Sequence, residues 1–193
     1  GGDVVLPLLR QQKDGEECLS LSDFVKPCGT DYVGAFAVTA GRGIEEIISG
    51  YQQTDDFKAL LYQSLSDRLA EAAAELLHAR VRREVWGYAP DERIDRQRAL
   101  RAQYRGIRPA AGYPSLPDQS AIFVIEKIVG FTNVGIAVTP NGAMSPASSV
   151  SGLMIAHPAS HYFMIGAIAP DQRRDYAARC GITEEELSKW LPK

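Results

Sequence analysis

The residues best suited to chemistry lie between positions 104 and 117, which read Tyr-Arg-Gly-Ile-Arg-Pro-Ala-Ala-Gly-Tyr-Pro-Ser-Leu-Pro. Arg108 carries a planar guanidinium whose donors form a fork matched to a carboxylate. Gly112 lets a bound molecule approach the main chain closely, while Tyr104 and Tyr113 contribute aromatic faces on either side. Three prolines and two glycines in fourteen residues preclude a helix, because proline lacks an N–H and drives its predecessor towards extended geometry. The resulting backbone is open and stiff, with amides and carbonyls available to a ligand. From residue types alone the segment is either a binding loop or an ordinary surface connection.

Other chemistries find no support. The chain contains no Gly-x-Ser-x-Gly elbow, phosphate-binding glycine loop or His-Glu-x-x-His helix. His157 and His161 are separated by Pro158, so they cannot share a helical face as a metal pair would, and each reads as a turn histidine. Cys18, Cys28 and Cys180 are odd in number and lack Cys-x-x-Cys spacing, which argues against a disulfide framework or zinc site and for a cytoplasmic compartment. The residues therefore favour a binding module over an enzyme with its own acid and base.

Composition agrees with that reading. A chain of 193 residues with 45% hydrophobic and 23% charged residues and a net charge of -3 suits one soluble globular domain. Its basic residues are scattered, which excludes a nucleic-acid footprint; Arg80, Arg82 and Arg83 alternate with acids and read as a solvated helix face. No apolar run approaches the ~20 residues needed to cross a bilayer. The apolar Val4–Leu9 run, following a Gly1-Gly2 start with no charged leader, suggests the interior of a fold and a fragment of something longer.

The elements that would position the loop follow from periodicity. Residues 1–33 read as two extended pieces joined by the polar 11–17 turn, and 32–39 as a buried strand. A short helix starts at Ile44, and a long one runs from Asp56 to Trp86, with Leu61, Leu65, Leu69, Ala72, Leu76 and Arg80 forming the stripe expected to bury against a sheet. Glu71 within its alanine-rich part can face water or a ligand. An exposed helix opening at Pro90-Asp91-Glu92 delivers Arg108. The 121–129 run is helix or strand by period alone; 134–138, 152–156 and 162–168 read as strands, the last two as a possible hairpin. A helix over 171–179 stops at Gly181, and Thr183-Glu184-Glu185-Glu186 is a capping box for a final helix through Trp190.

Arg108-Pro109-Ala110-Ala111-Gly112-Tyr113-Pro114 resembles the Arg-Pro-x-x-Gly-Tyr-Pro signature of the S-adenosylmethionine-binding activation domain of cobalamin-dependent methionine synthase. Leu9–Gln12, Leu21–Val25, Asp31–Val38, Asp67–Ala72, Trp86-Gly87-Tyr88, Ser149–Gly152 and Asp175-Tyr176-Ala177 resemble the same family in the same order. The likeness implies an α+β fold, a twisted, mainly antiparallel sheet with the long helix packed on it, and makes 121–129 a helix. It implies one domain over 1–193 that lacks its N-terminal helical part, including an aspartate for the ligand's amino group. It assigns Arg108 to the carboxylate of S-adenosylmethionine, Ala110, Gly112 and Tyr113 to the adenosine, and Tyr162 and Phe163 to an aromatic pair; Glu71 completes the set of candidates.

The implied activity is reactivation. The domain would present the S-adenosylmethionine methyl group to cob(II)alamin held by the cobalamin-binding domain while flavodoxin or another reductase supplies an electron, regenerating methylcobalamin. Ala111, where proline is usual, and Gln119-Ser120, where histidine-threonine is usual, depart from the pattern. A stand-alone reactivator of a separate corrinoid protein and a non-catalytic docking module remain alternatives.

Overall fold

The computed structural model describes residues 3–192; Gly1, Gly2 and Lys193, the ends of the expected domain, lie outside the described residues. In chain order the elements are β1 (Gly34–Thr39), α1 (Ile44–Gln52), α2 (Asp56–Arg80), α3 (Arg96–Leu100), α4 (Ala121–Val129), β2 (Ala137–Val138), β3 (Met144–Ser145), β4 (Ser149–Met154), α5 (Pro170–Cys180) and α6 (Glu184–Leu187). Short 3-10 turns occupy Leu21–Phe24 and Phe131–Val134, and a π turn, Val81–Val85, continues α2. β1 neighbours β4 in one two-stranded sheet, and β2 pairs with β3 antiparallel in another, with Ala137 opposite Ser145 and Val138 opposite Met144. The architecture is α+β, a mixture of helices and antiparallel strand pairs, as expected.

The chain divides into two compact units. The first comprises the described residues of Gly1–Gly34, Arg105–Val124 and Gly152–Lys193. Its core gathers Leu9, Ile165, Tyr176, Ala177, Leu187 and Leu191, with Phe163 and Cys180 packed against them. The N-terminal arm is the expected pair of extended pieces: Gln11 N donates to Leu19 O at 2.9 Å, and the buried Gln11 side chain donates to Met164 O at 2.6 Å. Arg10 closes the arm on Asp23 with two bonds of 2.6 and 2.5 Å. α5 stops at Gly181, whose φ of 70° suits a residue without Cβ, and α6 begins with the Thr183–Glu186 capping box.

The second unit comprises Ala35–Tyr104 and Ile125–Ser151. α1 packs on α2, with Tyr51 and Tyr62 stacked at 5.6 Å. α2 is tied to the strand ends by polar bonds: Ser66 Oγ donates to Ala40 O at 3.0 Å, and Ser148 Oγ to Asp67 at 2.6 Å. Gly41 sits where an added Cβ would fall 2.2 Å from Pro146 Cβ, so only glycine permits that approach.

The long helix buries a different face from the one its leucines suggest. Leu61, Leu65, Leu69 and Leu76 are 55%, 54%, 52% and 61% exposed, whereas Ala59, Ser66, Ala70, Ala74 and His78 are buried. Small residues allow the backbone of α2 to come close to its neighbours, which leucines would prevent. The basic cluster also needs correction. Arg82 is 1% exposed, bonded to Glu92 at 2.6 Å and stacked over Tyr104 at 4.1 Å, while Arg80 and Arg83 stay at the surface. α3 begins after Asp95, which accepts from Arg98 N, rather than at Pro90.

Candidate functional site

The signature segment is held within the first unit by main-chain bonds on both flanks. Ile107 and Ile155 exchange two backbone bonds of 3.0 Å, and Leu153 N donates to Pro109 O at 2.9 Å. Arg108 is thus fixed on an extended stretch running beside the end of β4 and its continuation, and its backbone N–H donates to the Tyr162 hydroxyl at 3.0 Å. Beyond it the chain reverses: Gly112 N donates to Leu116 O and Leu116 N to Tyr113 O, both at 2.9 Å. Gly112 has a φ of 79°, and a Cβ there would lie 2.1 Å from the Gln119 side-chain oxygen. Glycine is required by conformation and by space.

The expected strand over 162–168 does not form, and Gly166 within it turns with a φ of 79°. Ile165 N donates to Pro114 O at 2.9 Å, and the Ser115 hydroxyl donates to Phe163 O at 2.6 Å. Its side chains alternate. Phe163 and Ile165 turn into the core, while Tyr162 and Met164 are 44% and 63% exposed. The partner segment contains Pro114 and Pro117, which have no N–H to offer, so a continuous ladder cannot form. No 152–168 hairpin results.

Of the predicted site residues, Arg108, Ala110, Gly112, Tyr113, Tyr162 and Phe163 all belong to this unit. Arg108 and Tyr162 are joined directly, and Tyr113 N donates to Ala110 O across the turn. Tyr113 is 60% exposed, so its ring and that of Tyr162 offer accessible aromatic surface. Phe163 contributes from the core side, edge-on to Phe24 at 6.2 Å. Glu71 is exposed on α2 and belongs to the second unit.

Sequence reasoning overlooked the residues that pin the loop. Asp118 is 3% exposed; one of its oxygens accepts from Ser120 N and Oγ at 2.8 and 2.7 Å, and the other from Tyr176 Oη at 2.8 Å. Burial first, then the charge of Asp118, pushes the Tyr176 phenol and the Cys180 thiol above their usual ranges. The Asp-x-Ser-Ala start of α4 was the available signal. His157 and His161 flank a turn closed by Ser160 N to His157 O at 3.0 Å, with both rings against Phe24. No cluster of metal-binding side chains occurs among the described residues.

This donor set has the chemistry of a site for a carboxylate-bearing, aromatic, cationic molecule: one guanidinium, two accessible phenol rings and a tight glycine turn. A crystal structure of the MetH reactivation domain bound to AdoHcy matches with a TM-score of 0.89 and 40% identity over 95% of this chain. This chain spans 58% of that one. The family model of the vitamin B12 dependent methionine synthase activation domain matches residues 2–181, and the chain belongs to that family.

Proposed function

We propose that this chain is the reactivation module of a cobalamin-dependent methionine synthase, a methyltransferase, and that its 108–113 turn binds S-adenosylmethionine. The ligand's methyl group would then be available for reductive methylation of cob(II)alamin carried by a cobalamin-binding domain. The corrinoid supplies the metal that takes the methyl group, with one electron from flavodoxin or another reductase, while the broken S–CH3 bond leaves its electron pair on S-adenosylhomocysteine. The chain's own residues bind and orient. Arg108 receives the carboxylate, Ala110, Gly112 and Tyr113 border the adenosine, Tyr162 lays its ring beside the sulfonium, and Phe163 supports it from the core.

The observation that carries this reading is the Tyr162 hydroxyl on the Arg108 amide at 3.0 Å, which joins the two motifs of the family in one place. The AdoHcy on the structural neighbour supports the same ligand class, since AdoHcy shares the carboxylate, amine and adenosine of S-adenosylmethionine. Calorimetry with S-adenosylmethionine tests it. Arg108→Ala is expected to weaken binding by about 1.5–3 kcal/mol through loss of a charge-assisted pair, with little recovery in Arg108→Lys, which lacks the fork. Equal affinity in a folded Arg108→Ala variant would remove this turn from the site.

A further inference from the structure

Ser115 is not among the predicted site residues, yet its hydroxyl joins the two stretches from which the candidate site is built. The residue is 7% exposed. Its Oγ donates to Phe163 O at 2.6 Å and accepts from Phe163 N at 3.3 Å, so one atom serves both polar groups of a single residue's main chain. A hydroxyl can do this because it is donor and acceptor at once. The need for it arises at Pro114, which has no N–H to give to the stretch opposite and contributes its carbonyl alone, to Ile165 N at 2.9 Å. The serine side chain stands in for the missing backbone donor.

The consequence reaches Arg108. Tyr162 directly precedes Phe163, and its hydroxyl accepts from Arg108 N at 3.0 Å. The main chain from 108 to 115, the Ser115 bonds to Phe163, the 162–163 peptide and the Tyr162 side chain therefore close a ring, in which the two hydrogen-bonded joints limit each other's play. Tyr162 is 44% exposed, so packing leaves much of its ring unsupported. Other bonds hold each side of the ring separately. Ile107 and Ile155 exchange backbone bonds on the Arg108 side, and Gln11 Nε2 donates to Met164 O at 2.6 Å on the other. The Pro114 bond to Ile165 acts three residues from Tyr162, whereas Ser115 grips the residue next to it.

We infer that Ser115 is a positioning residue of this site: it holds the Phe163 main chain so that the Tyr162 ring keeps one place beside Arg108, and acts on the ligand only through that ring. The inference rests on the ligand reading above for its affinity measurement alone. Amide hydrogen exchange, followed by NMR on the ligand-free protein, tests the hold itself. Ser115→Ala is expected to speed exchange at Arg108 N about tenfold while the Ile107 and Ile155 amides keep their wild-type rates. An unchanged Arg108 rate, or equal acceleration at all three amides, would overturn the inference. Calorimetry with S-adenosylmethionine tests the consequence. Ser115→Ala weakens binding about 3- to 10-fold, and on a Tyr162→Phe background it adds no further loss, because both changes open the same ring. Wild-type affinity in Ser115→Ala, or losses that multiply in the double variant, would likewise overturn it. Ser115→Cys, a weaker donor of similar shape, gives intermediate exchange and affinity and serves where alanine prevents folding. A wild-type chain that binds no S-adenosylmethionine, with Arg108 exchange still responding to Ser115→Ala, defeats the ligand reading and leaves the hold of Ser115 on Tyr162 standing.

Discussion

Gly112 is the residue at which the signature turn tolerates least change. Its φ of 79° and the Gln119 oxygen 2.1 Å from any added Cβ mean that Gly112→Ala incurs left-handed strain of about 1–2 kcal/mol and displaces Gln119. The expected result is weaker S-adenosylmethionine binding in calorimetry with only a small drop in melting temperature; unchanged affinity would show that the ligand avoids this turn. Tyr176 offers the complementary case, buried in the core of the first unit. Tyr176→Phe removes a donor from the buried Asp118 carboxylate, and urea unfolding should record a loss of about 1.5–3 kcal/mol at unchanged slope. The helix-free course of the 104–117 segment was legible because proline and glycine restrict the backbone in a way that residue type alone reveals. Arg82 was not. Its burial depends on Glu92 and Tyr104, and no spacing rule distinguishes it from its exposed neighbours Arg80 and Arg83.

At the scale of elements, α2 shows what periodicity can and cannot decide. The helix and its length follow from the sequence, but two stripes run along it, one of leucines and one of small residues, and period alone does not say which is inside. Close packing selected the small one, with Ala70 at 1% and Ala74 at 0% exposure. Accordingly, Leu69→Ala should change the stability of the 193-residue chain by no more than about 0.5 kcal/mol. Ala74→Leu, which forces a larger side chain into a filled contact, should cost about 1–3 kcal/mol; melting curves giving the reverse order would reinstate the leucine face as core. The 162–168 stretch teaches a related lesson. Exposure alternates over 162–165, separating exposed Tyr162 from inward Phe163, yet a strand also needs a partner with N–H groups in step, and the prolines opposite withhold them. The Gly181 stop of α5 and the Thr183–Glu186 capping box of α6, being local, were read correctly, whereas α6 ends at Leu187 rather than at Trp190.

Across the whole molecule the ionisable groups bound a window of stability. Asp23 is held below the usual carboxylate range chiefly by its hydrogen bonds from Arg10, with the burial of the pair acting the other way. Asp31, Asp55, Asp171 and Glu186 are lowered chiefly by backbone N–H groups. A carboxylate depressed in the folded state contributes stability that is present above its unfolded pKa of about 4 and lost as pH falls through the folded value. The alkaline side has the opposite origin. Tyr176 and Cys180 are raised, first by burial and then by Asp118, from ordinary values of 10.0 and 9.0. Their contribution is complete below those values and declines above them, because the unfolded chain releases those protons first. Thermal unfolding followed across pH should therefore give a plateau between about pH 4 and pH 9, falling on both sides. Asp23→Asn should flatten the acid limb and leave the alkaline one unchanged. Tyr176→Phe should lower the plateau and flatten the alkaline limb, since phenylalanine has no proton to lose; an alkaline limb as steep as wild type in that variant would mean that Tyr176 does not set it.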